Sequence, residues 1–559
     1  LHLGSFLVSR RVALSILTFA AVSLTFTAGC NNTGSGTAAS PAATGSAVAA
    51  GSKTPGVLKY PLTAEPTTFD PAMVRDGVTI DLLQSVYEGL VGWSEKNEVT
   101  PLIAAELPKL SADKKTYTFT IRDGVKFHNG RAITAEDVKY SLTRALDKRL
   151  ASPVAINYLD DIVGAKELND GKTTELAGVK VIDPKTVSIT LVAPRAYFLG
   201  KLTYGTGYVL PKEEVEKGEK NAAGVYIVTA KSAVGSGPFK MREYRGQDKV
   251  VLDANPDYWA GSPKLKSIER PVILDSKTAR NLYDSGDLDY ITLEKGDYEI
   301  ESANPALKDQ IKLWDRASTF YLGMNQTNYA PFKDRRVRQA FAHAIDKTAI
   351  VKNVLMDVNQ QAECVVPKGI FSYDTTFKGL PYDPEASKKL LAEAGFPEGK
   401  GLPPLTLYFR EQQPDLRKTA EVIKEQLGAV GINIQLNEME WGAYLRLNEQ
   451  KKMDLFHMRW AADYLDPQNF LSLLLTTKGT ENYTSYSNPA FDALCAQADA
   501  ESDLAKRTEL YRKAERIVVD DAPWVPLYYQ KDLELIKPYV SGVRDMLLGH
   551  LPHLTTEVK

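Results

Sequence analysis

The chain has 559 residues, 43% of them hydrophobic and 25% charged, with a formal net charge of −2. That length exceeds what one hydrophobic core serves and implies two or three domains. Both charge signs are interspersed, so no basic stripe points to nucleic acid, and no run after residue 30 is long and apolar enough to span a membrane.

In chain order, Arg10 and Arg11 precede an almost wholly apolar run from Val12 to Phe26, followed by Thr27-Ala28-Gly29-Cys30. A basic patch, a short apolar stretch and small residues before a cut form a secretory signal, here over residues 1–29. The Ala-Gly-Cys ending resembles a bacterial lipobox, in which the Cys becomes the lipidated first residue. Thr27 stands where that motif usually has Leu. Residues 30–56 are then a lipid-anchored tether, since Gly, Ser, Thr, Ala, Asn and Pro with almost no charge cannot offset their ordering entropy.

The remainder alternates strand and helix patterns. Tyr117, Phe119 and Ile121 alternate with polar residues, as in a half-buried strand. Thr134 to Asp137 read as a capping box, with Val138, Leu142 and Ala145 following at helical spacing. Val179, Val181 and then Val187, Ile189, Leu191 predict two strands about the turn Asp183-Pro184. Asp334 opens a helix whose Val337, Phe341, Ala344 and Ile345 share a face. After Gly428, the residues Ile432, Ile434 and Leu436 have the period of a strand. The class is mixed α/β. Cys364 and Cys495 follow Cys30; a disulfide between them and two buried thiols fit an exported protein equally.

Several segments occur in a telling order. Tyr87-Glu88-Gly89-Leu90-Val91 comes first, then Ile121-Arg122-Asp123-Gly124-Val125-Lys126-Phe127-His128-Asn129-Gly130. Gly235-Ser236-Gly237-Pro238-Phe239 and Asn255-Pro256-Asp257-Tyr258-Trp259 follow, then Pro331-Phe332-Lys333-Asp334 and Ala344-Ile345-Asp346. Together they resemble the family 5 extracellular solute-binding proteins, which include the oligopeptide- and dipeptide-binding components of bacterial ABC importers. The resemblance implies a periplasmic-binding-protein-like α/β fold: two large lobes joined by a hinge, plus an inserted lobe. Lobe I would comprise residues 57–99, 232–317 and 528–559, lobe II residues 100–231 and lobe III residues 318–527.

The same resemblance places the ligand between lobes I and III, at Trp460-Ala461-Ala462-Asp463-Tyr464-Leu465-Asp466-Pro467. In peptide-binding members an Asp at the position of Asp463 receives the ligand's α-ammonium. Every free peptide carries that ammonium, and a buried carboxylate needs such a partner. Trp441 and Trp460 match cavity-lining positions, and Tyr464 lies in the same segment. His457 and Arg459, on one face of a strand, would supply a cation for the ligand's carboxylate.

The resemblance thus implies a monomeric, lipid-anchored receptor on the extracytoplasmic face of the cell membrane. Its partners would be short peptides and the permease subunits of an ABC importer. Within the same fold, a nickel complex, an oligosaccharide or a peptide signal are the alternative cargoes. The six His residues lack metal-ligand spacing, so no metal or other cofactor is expected. The chain carries no Gly-x-Ser-x-Gly elbow and no His-Glu-x-x-His helix, so no catalytic residue is assigned.

Overall fold

The computed structural model describes residues 54–411 and 413–559. The signal sequence, Cys30 and all but the last three residues of the tether lie outside the described residues. No described helix is long and apolar enough to cross a membrane.

Three sheets organise the rest. The first has four strands in the order Val57–Lys59, Ser267–Pro271, Lys249–Ala254, Phe239–Arg245. Its first pair is parallel and the others are antiparallel, so residues 210 positions apart, such as Val57 and Ser267, become neighbours. The intervening chain builds a second, antiparallel sheet in the order Lys109–Leu110, Thr116–Thr120, Thr186–Thr190, Val179–Asp183. Tyr117 and Phe119 point inward from it, and Val179–Asp183 with Thr186–Thr190 form the expected pair about Pro184.

The third sheet is mixed, in the order Tyr290–Thr292, Trp524–Ile536, Ile311–Met324, Leu455–Ala461, Leu405–Arg410, Ile434–Met439. Its two long strands, Ile311–Met324 and Trp524–Ile536, run antiparallel, with a register shift between Asp315 and Thr319. On one side of that shift Leu533 and Leu535 pack with Tyr283 and Ile291. On the other side Leu322, Val525 and Leu527 join a core with Phe332, Phe341 and Ile423. The same two strands therefore serve separate cores.

Local chemistry explains the elements that the sequence anticipates. Helix Ala135–Ala145 starts at Thr134, whose amide donates to Asp137 Oδ2 at 2.9 Å, and buries Val138, Leu142 and Ala145. Helix Arg335–Ala344 is capped by Asp334, which accepts from the Arg336 amide at 2.9 Å. The strand after Gly428 begins at Ile434 rather than Ile432, because Gly431 turns the chain at φ 90°. Gly235 and Gly237 serve close approach rather than a left-handed turn: an added Cβ would lie 2.1 Å from Val86 O and 2.6 Å from Ser85 O. His128 is satisfied in its loop, with Nε2 2.9 Å from Gly237 O and Nδ1 accepting from the Gly235 amide. Cys364 and Cys495 are both buried free thiols, which closes the question of a disulfide between them.

Candidate functional site: a charged inter-strand cavity

A cavity of about 1230 Å³ opens between the first sheet and the third. It exceeds the roughly 300–1,000 Å³ of common small-molecule pockets. Its walls include Arg270 and Tyr290 on one side, Arg410, Trp441 and residues 457–463 on the other, and Tyr158 from the inserted segment.

Strand Leu455–Ala461 delivers the binding segment. It pairs with the long strand Ile311–Met324, placing Trp460 opposite Thr319. The chain then turns through Asp463 into the short 3-10 helix Pro467–Asn469, which Asp466 caps by accepting from the Gln468 amide at 2.9 Å. Asn469, fully buried, organises the turn. Its Oδ1 accepts from Trp460 Nε1 and from the Asp463 amide, each at 3.0 Å, and its Nδ2 donates to Asp463 Oδ2 at 3.4 Å. Arg507 grips Asp466 with two hydrogen bonds of 2.6 and 2.8 Å, both side chains being buried.

Asp463 lines the cavity and is partly accessible from it. Burial pushes its carboxyl up to about 7; hydrogen bonding with Tyr158 and Asn469 opposes the rise and the charge of Glu481 adds to it. Among the described residues no cation contributes to its environment. Glu481 is raised too, by burial, and Asn157 Nδ2 donates to its Oε1 at 3.0 Å. These two carboxyls mark an acidic end of the cavity.

Trp441 and Trp460 both line the cavity. Trp441 opens helix Trp441–Glu449, whose cap Glu440 accepts from the Gly442 and Ala443 amides at 2.7 and 2.8 Å. The Arg410 guanidinium lies 5.0 Å from the Trp441 ring. Arg459 is exposed on the cavity wall and donates to Gln530 Oε1 at 2.9 Å.

Two expected residues play other parts. Tyr464 is buried, bonds Gln468 through its hydroxyl and packs with Tyr158 and Phe198 in the core around the second sheet. It does not line the cavity, because the side chain after Asp463 turns to the opposite side of the chain. His457 does share a strand face with Arg459, but its ring nitrogens are enclosed and have no hydrogen-bond partner among the described residues. Burial beside Phe320 and Tyr528 pushes its imidazole down to about 3, so it is neutral and supplies no cation. Arg410 is a guanidinium that does line the cavity. Sequence reading passed it over, although it closes the alternation Leu405, Leu407, Phe409 and so must leave the strand at a sheet end. Asn469, two residues after Pro467, gave no charge or periodic signal.

Comparison with known proteins identifies the fold and the family. The chain is 31% identical over 501 residues to the dipeptide-binding protein DppE of Bacillus subtilis, covering 87% of this chain and 89% of that one. It is 29% identical over 500 residues to heme-binding protein A of Haemophilus influenzae, covering 87% and 89%. The structure of the ABC transporter-associated periplasmic binding protein DppA from Helicobacter pylori, in complex with the peptide STSA, superposes with a TM-score of 0.78 at 27% identity, covering 90% of this chain and 98% of that one. The fold is thus the expected periplasmic-binding-protein-like α/β architecture. With residues 98–482 matching the family model, the chain belongs to the bacterial extracellular solute-binding proteins, family 5.

Proposed function

We propose that this protein captures short peptides in the cavity and delivers them to the permease of an ABC importer, acting as a monomer without catalysis. One observation carries the reading: Asp463, a cavity carboxyl held near neutrality, has no cation of its own among the described residues. A peptide's α-ammonium supplies that cation, and Arg410, which also lines the cavity, takes the α-carboxylate. The peptide main chain lies between them, with the indoles of Trp441 and Trp460 giving broad contact at low entropic cost. A neutral sugar leaves both charges unmatched.

The long strands Ile311–Met324 and Trp524–Ile536 are the hinge in this reading, between a lobe I of residues 57–99, 232–317 and 528–559 and a lobe III of residues 318–527, with residues 100–231 as lobe II. A ligand that binds only the folded protein stabilises it by about 2.7 kcal/mol at a hundred times its dissociation constant. Small-angle scattering with a saturating mixture of tri- to pentapeptides is expected to show a smaller radius than the free protein. An unchanged radius despite calorimetric binding contradicts the hinge, and intact recovery of the peptides separates a receptor from a peptidase.

The protein acts on the extracytoplasmic face, anchored by lipid on Cys30, with residues 31–56 as the tether. Cys30→Ala is expected to release the folded domain into the soluble fraction of producing cells. Full retention on membranes removes the anchor from the account.

A further inference from the structure

An ion pair crosses this cavity from wall to wall. Arg75 and Glu449 both line it, and Arg75 Nη1 donates to Glu449 Oε1, with each side chain 41% exposed. The two residues are 374 positions apart and are anchored in different cores. Val74, beside Arg75, packs with Leu58, Phe239 and Ile268 of the first sheet, and its carbonyl accepts from the Tyr204 hydroxyl at 3.0 Å. Asp76, on the other side of Arg75, caps helix Gly77–Leu83 by accepting from the Thr79 amide at 2.9 Å. Glu449 ends helix Trp441–Glu449, whose Tyr444 packs with Tyr321 and Phe456 of the third sheet and donates to His457 O at 3.0 Å. Each end is thus held by its own wall, and the pair ties one wall to the other. The bond from Asn157 of the inserted segment to Glu481 is a further tie, with one charge rather than two.

We infer that Arg75 and Glu449 form a latch that sets how long the cavity stays shut on its ligand. The inference rests on the capture reading above and adds the control of release to it. Opening parts the two walls and breaks the pair, so the pair raises the barrier to release. It makes no contact with the ligand in this reading. Loss of the latch therefore speeds release by the same factor for every peptide, whereas loss of a ligand contact would depend on the peptide.

The test measures release from the emptied protein after reloading with radiolabelled trialanine, tetraalanine or pentaalanine and chasing with unlabelled peptide. Glu449→Gln and Arg75→Gln are each expected to release peptide about threefold faster at low salt, the scale of one exposed ion pair. The double variant is no faster than either single one, as for a direct contact. Glu449→Arg, which sets two like charges against each other, is faster still, and adding Arg75→Glu to it restores the native rate. Salt speeds release from the native protein more than from Glu449→Gln. Both side chains are exposed, so these variants keep the fold. A native release rate in Glu449→Gln and Glu449→Arg, with peptide still bound, overturns the latch and leaves the capture reading standing. If none of the three peptides loads, the peptide reading falls, and small-angle scattering of the emptied proteins still judges the latch. A larger radius in Glu449→Arg than in the native protein supports it, and equal radii overturn it.

Discussion

Asp463→Ala is expected to weaken binding of a peptide with a free N-terminus by about 2–5 kcal/mol, the cost of stranding one partner of a desolvated charge pair. N-acetylation of the peptide deletes the other charge and costs a similar amount in the native protein. The two losses do not add: once the carboxylate is gone, acetylation costs little more, as in a double-mutant cycle for a direct contact. Calorimetry on the four combinations measures this, and additive losses would mean that Asp463 acts through the fold. The carboxyl at about 7 adds a pH dependence. Below about pH 7 the free protein holds a proton on Asp463 that an ammonium ligand must displace. Affinity therefore falls by up to about tenfold per pH unit as pH drops through that range. Loss of the slope in Asp463→Asn assigns it to this group. The stability effect has the opposite sense. A carboxyl whose folded pKa is raised favours the ligand-free folded state at low pH, and that contribution is lost as pH rises from about 4 to about 7. Asp463→Asn is thus expected to stabilise the empty protein above pH 7 while impairing capture, a trade common at binding sites.

The second large effect concerns what holds Asp463 in place. Arg507→Met leaves Asp466 buried without its partner, and a loss of about 3–5 kcal/mol in folding stability is expected. Burial disfavours the charge on Arg507, yet the bidentate bond to Asp466 holds its proton more firmly than usual. Asp466 also caps the helix Pro467–Asn469, from which Asn469 fixes both Trp460 and Asp463, so the damage reaches the binding segment. Urea unfolding followed by tryptophan fluorescence reads the loss. A shift worth under about 1 kcal/mol would show that the pair is solvated and that the turn does not depend on it.

Where local pattern and tertiary packing ask for the same thing, the sequence is readable. Thr134 with Asp137 and Asp334 before its helix declare caps whose bonds close within three residues. The alternation at Tyr117 and Phe119 declares a face that is buried whichever strands pair with it. Period alone cannot show that Val57–Lys59 lies parallel to Ser267–Pro271, or that one long strand pair serves two cores, because those neighbours are brought together by the whole chain. The place of Asp463 and the two tryptophans on the cavity wall was legible through family motifs, and their part in binding is proposed. Tyr464 was misplaced because adjacency in sequence says little about side-chain direction across a turn; His457 does line the cavity but was misread as a cation, because pattern alone does not show what covers a strand face. Arg410 went unnoticed because the ring it lies against, Trp441, is more than 30 residues away.

The central claim is that the cavity holds peptides, and native mass spectrometry of the protein purified from its producing cells tests it most directly. The account predicts a population heavier than the empty chain by the masses of short peptides. Those masses should be released on denaturation, sequence as peptides with free N-termini, and reload from a peptide mixture into the emptied native protein but not into Asp463→Ala. A retained heme, sugar or metal complex, or an emptied native protein that takes up no peptide, would contradict it.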